Sequence, residues 1–323
     1  MRRRLVLFSA FAAMTSLCPS TTSAQDGYPS QSVKFVVAFA AGGPTDALAR
    51  ILGNRLAEKW GQGVVIENRS GAGGNIAARQ VAKAEPNGYT VLVTTSAYAV
   101  NPTLSANPGY VPETDYRTVI VVGTTPNIIV ARTGLKASNL KEMIELAKTE
   151  KLTYGVPGAG TTPHLSAEKL FKVLAKVDIP HVQFTGAAPL LNALVGGHIA
   201  VACLAMPPTI ELIKGGQIKA LGVISDKRVP SLPDVPTAME QGFGDGEEST
   251  WIALFVPAPT PAAVVAKLNA EVNTVLAESS VRERLDQLGV IPVGGAQASA
   301  EAYVRAEMKK WGDVVRTLGM RVE

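Results

Sequence analysis

The sequence predicts an α/β protein built from two successive series of strands and helices. Near-continuous runs of Val and Ile alternate with amphipathic helical patterns along the chain, the pattern of parallel strands covered on both faces. Glycine-rich turns recur where a strand runs straight into a helix. With 323 residues, 46% of them hydrophobic and 18% charged, the chain can bury a large core, and its length suggests about two domains.

In chain order, the first strand spans 33–39 and feeds a helix carrying Leu48, Ile51, Leu52 and Leu56 on one face. A strand at 64–67, a helix with Ile76, Ala77 and Val81, and a strand at 91–95 follow. Two apolar runs, 118–122 and 128–131, are parted by Gly123-Thr124-Thr125-Pro126-Asn127. A second series then starts: helix 140–148, strand 152–156, helix 163–175, strand 181–184, helix 189–195, strand 198–204, helix 208–214 and strand 220–224. The Pro/Gly-rich stretch 229–247 reads as a long surface connection. A last strand at 251–256 and three helices, 261–277, 280–288 and 298–318, close the chain.

Arg2, Arg3 and Arg4, an apolar run from Leu5 to about Met14, and a polar stretch ending Thr22-Ser23-Ala24 have the layout of a secretory leader over residues 1–24, cleaved after Ala24. The paired arginines leave twin-arginine export open, and Leu17 is too large for a good lipoprotein site at Cys18. The apolar run is too short to span a bilayer comfortably, and no other segment is long and apolar enough to do so. Removing the leader takes Lys+Arg from 31 to 28 against 27 acids, so the net charge drops from +4 to near +1. The basic balance therefore gives no reason to expect nucleic acid as a partner. Cys203 is then the remaining cysteine, inside an apolar run, so no internal disulfide forms.

Three turns stand out chemically. The first strand ends in Phe39-Ala40-Ala41-Gly42-Gly43-Pro44-Thr45-Asp46, immediately before a helix. The second is Pro157-Gly158-Ala159-Gly160-Thr161-Thr162-Pro163-His164, where Thr162 suits an N-cap and Pro163 the first helical position. The third, Gln183-Phe184-Thr185-Gly186-Ala187-Ala188-Pro189, precedes the helix with Leu190, Leu191 and Leu194. Each leaves backbone N–H groups of a helix start free and pointing one way, which suits an anion. Three in one chain favour a shared cleft.

Longer stretches resemble the tripartite tricarboxylate transporter receptors, also called Bug proteins. Tyr28-Pro29-Ser30, the Phe39 to Asp46 turn, Glu67-Asn68-Arg69-Ser70-Gly71-Ala72-Gly73-Gly74-Asn75, Pro86-Asn87-Gly88-Tyr89-Thr90, the Gly158 to His164 turn, Leu232-Pro233-Asp234-Val235-Pro236-Thr237 and Pro257-Ala258-Pro259-Thr260-Pro261 carry the likeness over nearly the whole mature chain. The resemblance implies a two-lobed periplasmic-binding-protein fold of the type II kind. Its two hinge crossings would fall near Asn127 and Trp251, giving a first lobe of 28–126 plus 254–323 and a second of 127–253. It implies a periplasmic, monomeric solute-binding protein that captures a small organic mono- or dicarboxylate and delivers it to membrane permease subunits. A sensor-coupled signalling role shares the same cleft. The ligand loops carried over are 39–46 and 158–164, flanked by Thr94, Thr95, Ser96 and residues 184–187. Many members carry an acid in the strand matching 199–204 and another just after it. Here Ala200 and Ala205 stand there, which disfavours an amino-acid ligand.

A carboxylate offers about four acceptor sites, so amides and hydroxyls hold it without a formal cation. The hydroxyls of Thr45, Ser96, Thr161 and Thr162 and the N–H groups around Gly42, Gly43 and Gly160 are the expected donors. Phe39 either packs on the ligand body or sits in the core, and His164 either meets a distal carboxylate or caps its loop. Asp46 suits the helix dipole better than it suits ligand contact. Asn68, Asn75 and the nearby glycines read as a turn cluster without ligand. The sequence holds no G-x-S-x-G elbow and no H-E-x-x-H, and its phosphate-loop and dinucleotide fingerprints are incomplete. Its three histidines, His164, His181 and His198, lack metal-site spacing. An enzyme, a metal and a cofactor are therefore not expected.

Overall fold

The computed structural model describes residues 27–244 and 248–320. The expected leader, and residues 245–247 of the long connection, lie outside them.

Ten strands, β1 (Val33–Val37), β2 (Val64–Asn68), β3 (Thr90–Thr95), β4 (Tyr116–Arg132), β5 (Tyr154–Val156), β6 (His181–Gln183), β7 (Val201–Ala205), β8 (Ile218–Ile224), β9 (Ser249–Pro257) and β10 (Ile291–Pro292), are ordered β2-β1-β3-β9-β4-β7-β5-β6 among the described residues, with β8 and β10 also on β4. β1 to β3 pair in parallel, as do β5 to β7, whereas every pairing of β4 and β9 is antiparallel. The parallel direction expected from the Val/Ile runs therefore holds for β1 to β3 and β5 to β7 and fails at β4 and β9, because burial on both faces marks a central strand without fixing its direction.

The helices are α1 (Pro44–Trp60), α2 (Asn75–Ala82), α3 (Ala97–Leu104), α4 (Pro112–Asp115), α5 (Leu140–Thr149), α6 (Thr162–Glu168), α7 (Ala187–Val195), α8 (Ile210–Lys214), α9 (Ala262–Ala277), α10 (Ser279–Gln287) and α11 (Gln297–Leu318). α3 was not foreseen, since Pro102 inside it argues against a helix. The single helix expected at 163–175 is α6 followed by a π-helical stretch, Lys169–Leu174.

β4 is the organising element and the main correction. The two runs expected to be parted at 123–127 form one strand of 17 residues. Its first part, Tyr116 to Pro126, pairs with β9, and Asn127 onward pairs with β7 and β8. Gly123 looks like a turn residue but meets a packing need: a β-carbon there would lie 2.9 Å from the Ile291 carbonyl oxygen and 2.8 Å from Val290. The glycine lets β10 approach. β9 joins this sheet from Ser249, upstream of the boundary expected at 254.

Hydrophobic periodicity fills both faces. Under β1, β3 and β9, Phe35, Val37, Leu254 and Val256 pack against Leu48, Leu52 and Leu56 of α1 and Leu268 and Val272 of α9. On the other face Val36, Trp251 and Phe255 meet Tyr98 and Val304. Beyond Asn127, Ile129 and Ala131 face the Leu140, Met143, Tyr154 and Phe171 side, while Ile128 and Val130 face Leu190, Leu194 and Leu204. A smaller cluster, Val100 and Leu104 of α3, Leu165 of α6, and Trp311 and Val315 of α11, joins the two series.

Gly123→Ala is expected to lower unfolding stability by about 1–3 kcal/mol through forced displacement of β10. Urea denaturation measures it, and an unchanged midpoint would show that β10 approaches without needing the glycine.

Candidate functional site

The three glycine-rich turns meet between the two series. A small cavity of about 40 Å³ lies where they converge, walled by Phe39, Ala40, Gly43, Thr45, Thr95, Thr161, Ala187 and Ala205 of the expected site, and by Pro44, Pro157, Pro163 and Thr250. No charged side chain stands in that wall. Outside it opens a chamber of about 640 Å³, which shares Phe39 and Pro157 with the inner cavity and includes Phe184, Asn75, Asn101 and Arg79.

The turns close on one another through glycine. A β-carbon on Gly73 would lie 2.4 Å from the Ala159 carbonyl oxygen, and one on Gly160 would lie 2.2 Å from Asn101 Oδ1. Gly186 brings its backbone against Ala40. Gly73 and Gly160 both have left-handed backbones, φ +62° and +70°, so both the conformation and the space select glycine. The Gly71 to Asn75 cluster, read from sequence as a turn without ligand, therefore forms part of the seam and of the outer chamber wall.

Each turn starts a helix with no side-chain cap: α1 after Gly43, α6 after Thr161 and α7 after Gly186. In α1 the first bond runs from Ala47 N to Gly43 O, leaving the Thr45 and Asp46 N–H groups without an intrahelical acceptor. In α6 it runs from Leu165 N to Thr161 O. The cavity is therefore lined by the positive ends of helices.

The hydroxyls divide into two sets. Thr250 Oγ1 donates to Asn127 Oδ1 at 2.8 Å, so the 2.8 Å contact from Thr162 must be donated by Thr162. The 2.5 Å contact between Ser96 and Thr162 is then donated by Ser96. Asn127 Nδ2 passes on to Ser166 Oγ at 3.1 Å. One proton per hydroxyl fixes this direction. Ser96 and Thr162, expected as ligand donors, spend their protons on this buried relay, and Thr161 donates to the Gly158 carbonyl at 2.8 Å. By contrast, no described residue hydrogen-bonds the Thr45 hydroxyl, and Thr95 Oγ1 only accepts, from Ala97 N at 3.3 Å. Thr45 and Thr95 keep protons to give.

Asp46 does not line the cavity. Its carboxylate accepts from Gly42 N at 3.0 Å, Arg50 Nε at 2.9 Å and Asn68 Nδ2 at 3.0 Å. Burial opposes ionisation there, but the Arg50, Gly42 and Asn68 hydrogen bonds outweigh it and hold the carboxyl below the usual range. Asn68 also donates to the Phe39 carbonyl at 2.9 Å, so the Asp46–Asn68 pair shapes the first turn.

His164 is likewise outside both walls. Its Nδ1 accepts from Gly160 N at 3.2 Å, which fixes the second turn and places the ring proton on Nε2, a buried atom without a partner among the described residues. Burial, helped by the neighbouring His181 ring 4.3 Å away, pushes its pKa down to about 4. The folded chain brings His164, Glu168 and His181 within 4.8 Å of one another, which sequence spacing did not reveal. This cluster is occupied as it stands. Glu168 takes Tyr154 OH at 2.5 Å, Lys172 at 2.7 Å and His181 at 3.3 Å, which overcome burial and bring its pKa to about 2. The Nε2 proton of His164 also leaves no lone pair for a metal while the Gly160 bond stands.

Residues 48–320 match the model of the Tripartite tricarboxylate transporter family receptor. The chain belongs to that family. Its fold and family are those of solute-binding proteins, not enzymes. The receptor is similar to the periplasmic binding protein BugD, at 35% identity and a TM-score of 0.87 over 92% of this chain and 100% of that one. An R. palustris protein solved with adipate is 36% identical at a TM-score of 0.88, covering 91% and 99% of the two chains. MatC from Rhodopseudomonas palustris, solved with malate, is 35% identical at a TM-score of 0.83, covering 89% and 100%. Among the described residues no helix of the receptor is long and apolar enough to cross a membrane.

Sequence reasoning missed Thr250, Asn127 and Asn101. A signal was present for the first two: each is a polar residue at or inside an apolar strand run, where a buried polar group requires a partner.

Two outcomes are expected. Thr162→Val strands both the Ser96 proton and the Thr250 oxygen, and should cost about 1–3 kcal/mol of unfolding stability. A urea midpoint equal to that of the wild type would dissolve the relay as a structural element. For His164, the unfolded chain binds a proton near pH 6.5 and the folded chain only near about 4, so stability holds above the unfolded pKa and falls as pH drops through that window. Denaturation from neutral pH down to about pH 4 should show this slope, reduced in His164→Asn.

Proposed function

We propose that this receptor captures a small, non-amino organic carboxylate between two hinged lobes in the periplasm and presents the closed form to a tripartite permease. The observation that carries this reading is the inner cavity, whose wall holds no charged side chain but keeps the Thr45 and Thr95 hydroxyl protons and the first-turn amides of α1 unspent. Such a surface takes an anion that can be shared among several neutral donors. It offers nothing to a cation. An amino acid would bring an ammonium group that meets no acid in this wall, where Ala205 stands at a position for which the family resemblance implies an acid in many members. The adipate and malate in the solved relatives agree with an acid ligand without an amino group.

Charge-assisted hydrogen bonds contribute roughly 1.5–3 kcal/mol each, and micromolar affinity needs about 8 kcal/mol, so four or so such bonds suffice. α1 and β3 supply part of them and the first-turn amides of α6 and α7 the rest, so full affinity requires closure. The lobes proposed are 28–126 plus 254–323 and 127–253. The change of β4 partners at Asn127 supports the first crossing, while the entry of β9 at Ser249 moves the second slightly upstream. The residue 1–24 leader supports the periplasmic address, and the family supports the permease partner.

Thr45→Val and Thr95→Val are each expected to weaken carboxylate binding by about 1–3 kcal/mol; Thr45→Val leaves unfolding stability within about 0.5 kcal/mol, whereas Thr95→Val also strands the Ala97 N–H and lowers it. Calorimetry over a panel of organic acids measures this. Full affinity in both variants would place the ligand elsewhere.

A further inference from the structure

The two chambers differ in size and in charge, and together they restrict the ligand further. The inner cavity, about 40 Å³, has room for roughly three waters, which is the space of one carboxylate and its first carbon. Phe39 and Pro157 are common to its wall and to that of the outer chamber of about 640 Å³, so that chamber adjoins it and is the neighbouring space for the rest of a longer ligand. In that outer wall Arg79 is the one charged side chain. No acid pairs with it among the described residues. Its Nε donates to the Pro108 carbonyl and one terminal nitrogen to the Asn107 carbonyl, both at 2.6 Å. Two of five N–H donors are thereby spent on fixing the guanidinium, three remain, and the positive charge is left without a counterion. The neighbouring Asn101 amide cannot substitute, because its Nδ2 is committed to the Gly73 carbonyl and to Asn75 Oδ1.

We propose that the receptor selects elongated diacids, holding one carboxylate in the neutral inner cavity and the second at Arg79 in the outer chamber. This rests on the carboxylate reading of the inner cavity. The apolar collar of Phe39, Pro157 and Phe184 suits a hydrocarbon spacer between the acid groups. A monoacid of equal length would leave Arg79 unpaired in a chamber that is partly withdrawn from water, and a short diacid would leave its second charge within the collar. Arg79 is thus a specificity-determining residue.

The test is calorimetry with the diacid series succinate to suberate and the length-matched monoacids butyrate to octanoate, on the wild type, Arg79→Gln and Arg79→Lys. The wild type should prefer a longer diacid to its matched monoacid by about tenfold or more. Arg79→Gln should bring that diacid-to-monoacid ratio close to unity, and Arg79→Lys, which keeps the charge but not the fork, should retain part of it. A ratio unchanged in Arg79→Gln, or a wild type with no diacid preference, overturns the assignment while leaving the inner carboxylate site standing. Failure of the wild type to bind any acid in either series overturns both.

Discussion

The buried relay from Ser96 through Thr162 and Thr250 to Asn127 is the constraint on which the meeting of the three turns depends. It starts at the end of β3, crosses to the start of α6, returns to β9 and ends on β4 at the residue where that strand changes partners. Every hydroxyl in it donates once, so the chain has a single direction and no spare proton. In a region with little water each link is costly to leave unmade, which makes the arrangement close to all-or-none. The inner cavity lies beside this relay, sharing Thr250 with it. The packing that completes these hydrogen bonds therefore also holds the three helix starts around one point.

Glycine makes that packing sterically possible. Gly73 against Ala159 and Gly160 against Asn101 are approaches that no β-carbon permits, and the bond from Gly160 N to His164 Nδ1 holds the second turn in its left-handed shape. The first turn is held differently, by the ionised Asp46 with Asn68 and the Gly42 amide. Acid and imidazole thus do equivalent jobs on opposite sides of the cleft. Both were visible in the sequence as polar residues near a helix start, and both turn out to shape the cradle without forming its wall.

What was legible in the sequence was whatever depends on short-range pattern. The Val/Ile runs marked most strands, the apolar stripes marked α1, α5, α9 and α11, and three glycine turns marked the cleft. What was not legible depends on distant partners. The stretch from Gly123 to Asn127 looks like a break, and β9 pairing across it makes it strand. Pro102 speaks against α3, yet Val100 and Leu104 are buried against Trp311 and Val315 of α11, and that burial outweighs the lost hydrogen bond. Ser96 and Thr162 look the same as Thr45 and Thr95 in a sequence. Only the fold shows which pair has spent its protons on buried partners.

The neutrality of the inner wall bears on release as much as on capture. A guanidinium there would attract an anion whether the halves were together or apart, because its charge does not depend on closure. Amides and hydroxyls contributed from three separate turns act differently: each is weak alone, and all reach one carboxylate only when the turns converge. In the proposed two-lobed reading, opening removes several such bonds at once and readmits water, which couples affinity to shape. Among the described residues lining the two chambers, Arg79 is the charged side chain, and it stands in the outer one, apart from that neutral wall. Under the proposed function release matters as much as capture, and a cradle without charged side chains meets that requirement with the residues this chain supplies.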